Sequence, residues 1–328
     1  MRKFINYNYP IFIAFIVVLI ILRYPMPYII STGGGIGELG SRFEIEGAYK
    51  YSGSYNLSYV TQRDGSVGNY LLSLFLKDAE REKIVEYQFT PGETYEDINN
   101  RGRLQLMMAN QASVMSAYTK AGKDVKILSK KFYIVNVINE DVKKIKIGDV
   151  IESVNGKSIE SFETILNEVK NNDFVTLKVN RNGKEIEEEI KVKLYGEERL
   201  IGIGCYTIYD YEVNPKITFK FEANELGSSA GLMTTLAIYD SLTEKDLSHG
   251  LKIAGTGTID ADGYVGDIDG VKHKINGAAK DEADIFFVPA GRNYEEATKT
   301  KKENNLKIEI VPVETLDDAI KYLENLKK

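Results

Sequence analysis

The sequence predicts an α+β multidomain protein with an N-terminal transmembrane helix, a β-rich middle unit and an α/β unit after it. Three observations lead there. An uncharged run, Pro10–Leu22, lies near the N-terminus. A middle segment alternates apolar and polar residues between Asn-Gly turns, and beyond it strand-like and helix-like stretches take turns. At 328 residues the chain is too long for a single compact core, so separate units are expected: an anchor over 1–30, a linker and α/β juxtamembrane region over 31–128, the β-rich unit over 129–196 and the α/β unit over 197–328.

Composition removes several function classes. With 42 basic against 48 acidic residues the net charge is −6, and no basic stretch could follow a phosphate backbone, so nucleic acid is not an expected partner. A single cysteine, Cys205, excludes an intrachain disulfide and a cysteine zinc cluster, and with only His249 and His273 there is little capacity for a metal. No metal and no cofactor are expected. Gly156-Lys157-Ser158 looks like the end of a phosphate loop, but Ile151 stands where its first glycine belongs.

The apolar N-terminal run carries Arg2 and Lys3 before it and Arg23 after it, with Tyr7 and Tyr9 at one end and Tyr24 and Tyr28 at the other. Those flanks suggest interfacial tyrosine belts and a cytoplasmic N-terminus. Arg23–Pro27 offers no small residues for cleavage, so an uncleaved anchor is expected, with the rest of the chain on the extracytoplasmic face of the membrane. Thr32–Gly40 contains Gly35-x-Gly37-x-x-Gly40 without the preceding strand that a dinucleotide site needs, and reads as a flexible linker. Residues 43–93 suggest short strands. Arg103–Tyr118 spaces Leu104, Met107, Met108, Met115 and Tyr118 helically, as a packing helix or, more sharply, a methionine-rich partner groove.

The middle unit predicts strands Phe132–Ile138, Val150–Val154 and Phe174–Val179, turns at Asn155-Gly156 and Asn182-Gly183, and a helix beginning after Ser161. Its run GDVIESVNGKSI resembles the core of a bacterial PDZ domain. That resemblance implies binding of an extended peptide along a sheet edge, with a connection over Asn139–Lys146 shorter than usual.

In the last unit a strand over Lys216–Glu222 leads to Ser228-Ser229-Ala230-Gly231, and then to a helix with Leu232, Met233, Leu236, Ala237 and Tyr239 covering most of its surface. Ser229 therefore stands at the mouth of a buried helix, as a plain cap or as a nucleophile. The backbone N–H groups of Ser229 and Ala230 could stabilise an oxyanion there. Downstream, Val271–Lys280 reads as a helix carrying Lys272 and Lys274. If Lys274 is buried with Val271, Ile275 and Ala278, desolvation lowers its pKa from roughly 10.4, and a serine beside a neutral lysine is a complete nucleophile and base. His273 is given no role, and Cys205 reads as a small core side chain rather than a thiol nucleophile.

Gly227–Met233, Gly255-Thr256-Gly257-Thr258-Ile259, Gly263-Tyr264-Val265 and Ile268–Lys274 together resemble the proteolytic domain of Lon-type serine proteases. With the apolar N-terminus and the PDZ-like run, the chain resembles the membrane-anchored, PDZ-containing branch. The resemblance implies Ser229 as nucleophile, Lys274 as base and Thr256 as the residue orienting Lys274. It also implies protein or peptide substrates and a homo-oligomer, a hexameric ring. Lacking a Walker motif, the chain is expected to be an ATP-independent serine endopeptidase cleaving extended segments of secreted or membrane proteins. Three positions depart from the family: Ser228 for proline, Leu226 for an acidic residue and Asp269 for glycine. Ser228 and Leu226 favour the alternative, a catalytically silent peptide-binding or scaffolding membrane protein.

Overall fold

The computed structural model describes residues 2–76, 79–86, 93–220 and 225–326, with side chains from Tyr9 onward. Phe221, Glu222 and Ala223, the end of the expected strand and its lead into the serine loop, lie outside the described residues. Helices α1 to α8 run Arg2–Leu22, Val67–Ser73, Tyr95–Lys120, Phe162–Asn171, Gly231–Leu242, Val271–Lys280, Arg292–Asn304 and Leu316–Glu324. Local chemistry sets several of their starts. Thr94 with Asp97, and Thr315 with Asp318, form reciprocal capping boxes for α3 and α8. The hydroxyl of Ser66 accepts the Asn69 N–H at the start of α2.

The main sheet orders its strands Glu309–Val313, Ile285–Pro289, Lys252–Gly255, Ser54–Ser66, Pro25–Glu38 and Glu80–Lys83. The first four are parallel neighbours, and the last two add antiparallel. Both faces are covered, and the strands alternate accordingly. Ile253, Ile285 and Phe287 join the core with α5 and α8, whereas Ala254, Phe286 and Val288 join Val271, Ile275 and Ala278 of α6. All twelve residues of α5 are buried, as its apolar circumference predicts.

A second, antiparallel sheet orders Ile203–Val213, Val125–Val137, Val150–Val154, Phe174–Arg181 and Lys184–Lys191, with α4 packed over it. Asn155-Gly156 and Asn182-Gly183 turn with positive φ, as the sequence suggests. Gly156-Lys157-Ser158 thus lies in a hairpin rather than at a helix N-terminus, where a phosphate loop would hold its ligand. An apolar groove of about 220 Å³ runs between α4 and the start of the edge strand, lined by Phe162, Leu166 and Ile203 among others.

Three expectations change. The transmembrane helix is overturned: among the described residues no helix is long and apolar enough to cross a membrane. The uncharged run at the end of α1 covers only about 20 Å, against roughly 30 Å of hydrocarbon. Tyr24 and Tyr28, read as an interfacial belt, already belong to the sheet domain. The Tyr24 carbonyl accepts the Val67 N–H, and Tyr28 pairs with Lys83 while its ring meets Tyr70.

The glycine run is not a linker. Thr32–Glu38 pairs with Thr61–Asn56, and a Cβ on Gly34 would fall 1.9 Å from the Tyr59 carbonyl oxygen. One on Gly277 of α6 would meet Gly35 backbone at 3.0 Å, so small residues let α6 lie directly on this strand.

Nor do the spatial units follow the boundaries 31–128 and 197–328. Strands from 25–38 and 54–66 complete the sheet of 252–313, and Ile203–Val213 belongs to the second sheet.

Gly34→Ala should destabilise the protein by at least about 1–3 kcal/mol, because a paired strand has to shift to admit the methyl group. Gly33→Ala meets nothing within 4 Å and should melt close to wild type. Thermal or urea unfolding of the two variants checks this; equal, unperturbed stability would restore the linker reading.

Candidate functional site

Thr256 follows the central parallel strand at its carboxyl end, where the α5 and α6 layers converge, the usual place for a site in such sheets. Its N–H donates to the Phe287 carbonyl at 2.9 Å, which continues the strand register by one residue. The side chain is fully buried and links the two layers. Lys274 Nζ, on α6, donates to Thr256 Oγ1 at 3.1 Å, and Thr256 Oγ1 donates to the carbonyl of Ser229 at 3.2 Å. The Gly257 N–H adds a second bond to the same carbonyl at 2.9 Å, and the Leu232 N–H returns one to the Gly257 carbonyl at 3.1 Å. Ser229 is thereby fixed against Thr256-Gly257, with Lys274 one hydroxyl away.

Lys274 is 5% exposed. Burial pushes its ammonium down to about 8, and the opposing pull of the Asp269 carboxylate is the weaker influence. Asp269 is itself 96% exposed, so water screens it. The sequence-expected partners of Lys274, Val271, Ile275 and Ala278, are all buried around it in the α6 core.

Ser229 is half-buried. The plain-cap reading does not describe it: the N-cap of α5 is Ala230, whose side chain makes no capping bond. Among the described residues neither the Ser229 nor the Ala230 N–H has an acceptor, so both remain available to an oxyanion.

His273 points away from Lys274, with Nε2 3.0 Å from Glu80 Oε2 but poorly aligned for a hydrogen bond. Lys272 Nζ bonds Glu80 Oε1 at 3.0 Å. Burial pushes the Glu80 carboxyl up, but the neighbouring His273 and Lys272 side chains outweigh it and hold the group below its usual range. Burial pushes the Cys205 thiol up to about 11, which leaves it a poor nucleophile.

Sequence reasoning missed the supports contributed from far along the chain. Glu80 tethers the first turn of α6, Arg42 pairs with Glu225 ahead of the serine loop, and Ser113 donates to the Gly231 carbonyl at 3.1 Å. No local periodicity marks such partners. Gly102 stands one residue ahead of the expected helix Arg103–Tyr118, and only the longer helix Tyr95–Lys120 of the structure puts it in a helix interior.

Residues 223–325 match the family model described as the Lon protease (S16) C-terminal proteolytic domain. The chain is also 34% identical over 97 residues to the Lon protease of Mesomycoplasma hyopneumoniae (strain 232), a match covering 30% of this chain and 11% of that protein. It thus spans about a tenth of the length of that relative. Among solved structures, the PDZ domain of an SdrC-like protein from Listeria monocytogenes is 20% identical, over 24% of this chain and 92% of that one, with a TM-score of 0.22. A score that low adds no weight to the sheet order and groove seen directly.

Because the folded-state pKa of Lys274 lies below that of an unfolded lysine, the unfolded chain binds more protons between about pH 8 and pH 10.4. Stability contributed by this residue therefore rises with pH across that window, and below it the buried charge is a net cost. Lys274→Met should accordingly melt higher than wild type at pH 6–7, the difference shrinking as the pH climbs toward 10. Calorimetry across that range checks the sign.

Proposed function

We propose that this protein is an ATP-independent serine peptidase acting on extended segments of protein chains, with Ser229 as nucleophile and Lys274 as general base. The observation that carries the proposal is the buried, low-pKa amine of Lys274, joined through Thr256 to the backbone of a half-exposed serine at the mouth of a buried helix. The family match over 223–325 supports the same chemistry.

Neutral Lys274 takes the Ser229 hydroxyl proton as Oγ bonds to the substrate carbonyl carbon. The oxyanion so formed meets the N–H groups of Ser229 and Ala230 and the positive end of α5. As the intermediate collapses the C–N bond breaks, and the lysine ammonium returns its proton to the leaving amine. A water molecule then attacks the acyl ester, giving its proton to the same amine, and releases the serine. Thr256 holds Lys274 in line throughout and exchanges no proton.

In this reading an extended segment adds to the start of the edge strand Ile203–Val213, beside the apolar groove, which selects or holds it. A ring of identical copies, implied by resemblance, belongs to the proposal. The extracytoplasmic location expected from the sequence rested on the spanning helix and is left without that support.

The full chain, incubated without ATP, should cleave an unfolded protein at a rate that rises with pH through about 8, as Lys274 loses its proton. Ser229→Ala and Lys274→Ala should each reduce the rate by about 10²-fold or more. Equal survival of the substrate with all three proteins would favour the silent, peptide-binding alternative.

A further inference from the structure

The serine loop is supported by an element that lies outside the segment matching the proteolytic family. In α3, two consecutive residues reach different neighbours. Arg101, 4% exposed, donates from Nε to the Val135 carbonyl at 3.0 Å, and its guanidinium also pairs with Glu93. Val135 lies where the pairing of Val125–Val137 with Ile203–Val213 slips: Gly204 pairs with Asn136 and Cys205 with Ile134, so Val135 is skipped. A residue skipped by a bulge has a main-chain group to offer elsewhere, and Arg101 takes it. Gly204 and Asn136 on either side also line the groove of the second sheet.

The next residue reaches the serine loop. The Gly102 carbonyl accepts the Gly227 N–H at 2.9 Å, and a Cβ on Gly102 would approach Leu226 Cβ to 3.1 Å. Glycine is a poor helix former, and its presence in the interior of α3 is explained by this approach. Leu226, one of the departures from the family pattern, is the residue it admits.

We propose that Arg101 and Gly102 are positioning residues for the nucleophile: Arg101 seats α3 on the second sheet, and Gly102 sets the height of the 226–229 loop and so the placement of Ser229. The proposal rests on the peptidase reading of Ser229.

The test uses the full chain and the variants Gly102→Ala, Leu226→Gly and the double substitution. Alanine favours helix, so Gly102→Ala should melt at or above the wild-type temperature, while its methyl group displaces the loop. We expect kcat to fall about tenfold or more, KM to stay within about twofold, and the rise in rate near pH 8 to keep its position, since Lys274 is held by Thr256 rather than by α3. Leu226→Gly should restore most of the lost rate in the double variant. Arg101→Lys, which keeps the charge but lacks the Nε donor, should lower kcat in the same sense.

Hydrogen exchange at the Gly227 amide reads the contact without turnover. It should be protected in wild type and exposed in Gly102→Ala. A Gly102→Ala enzyme with kcat within about twofold of wild type, or a Gly227 amide unprotected in wild type, overturns the positioning role and leaves the peptidase reading standing. A fall in kcat matched by an equal loss of thermal stability also overturns it. A wild type that neither cleaves nor is acylated at Ser229 by a serine-directed probe overturns both.

Discussion

An amine with almost no water around it has to be held by something else. Lys274 meets that constraint through one hydrogen bond to Thr256, and the rest of the domain can be understood as the means of keeping that bond in place. Thr256 is fixed through its own N–H at the end of a parallel strand, so its hydroxyl cannot drift. The hydroxyl accepts from the lysine on one side and donates to the serine backbone on the other. Removal of water from the amine raises the cost of protonating it, which is what the proposed role as a base requires. Structural burden and chemical capability are here the same interaction.

Close packing of α6 on the first strand is the second condition. The helix carrying Lys274 lies against the backbone of Gly34 and Gly35, and it does so because Gly277 carries no side chain between the two backbones. Glu80, from the edge strand beside them, ties down Lys272 and approaches His273, the two residues just ahead of Lys274. The helix carrying Lys274 is thus clamped by a hairpin and an edge strand that come from about the first quarter of the chain. The serine loop is secured by Arg42 and by α3, which follows that edge strand in the sequence.

Much of the domain was legible wherever an element announces itself locally. The helices Gly231–Leu242 and Val271–Lys280, the two Asn-Gly turns and the capping box at Thr315 all follow from short-range pattern, and the structure has them where the pattern puts them. Ser229, Thr256 and Lys274 were nameable because their blocks lie close in sequence and resemble a known arrangement, and the geometry brings the three together. The glycine run was misread because glycine serves both flexibility and tight approach, and only the neighbour, Tyr59 or Gly277, tells which. The tyrosines of the apolar N-terminus suggest a membrane belt, but Tyr24 bonds Val67 at the start of α2 and Tyr28 pairs with Lys83 of the sheet. Contacts such as Gly102 with Gly227 join distant positions through backbone alone and leave no compositional trace.

The interleaving of the main sheet bears on how the molecule comes into being. Ser54–Leu57 has as its parallel neighbour Lys252–Gly255, a partner still unsynthesised when the hairpin leaves the ribosome, while the second sheet closes entirely upon itself in between. The inserted unit can mature during translation; the outer one waits, its early strands idle until the late ones arrive. A nascent chain of this design cannot bring Ser229, Thr256 and Lys274 together until its own synthesis is nearly over.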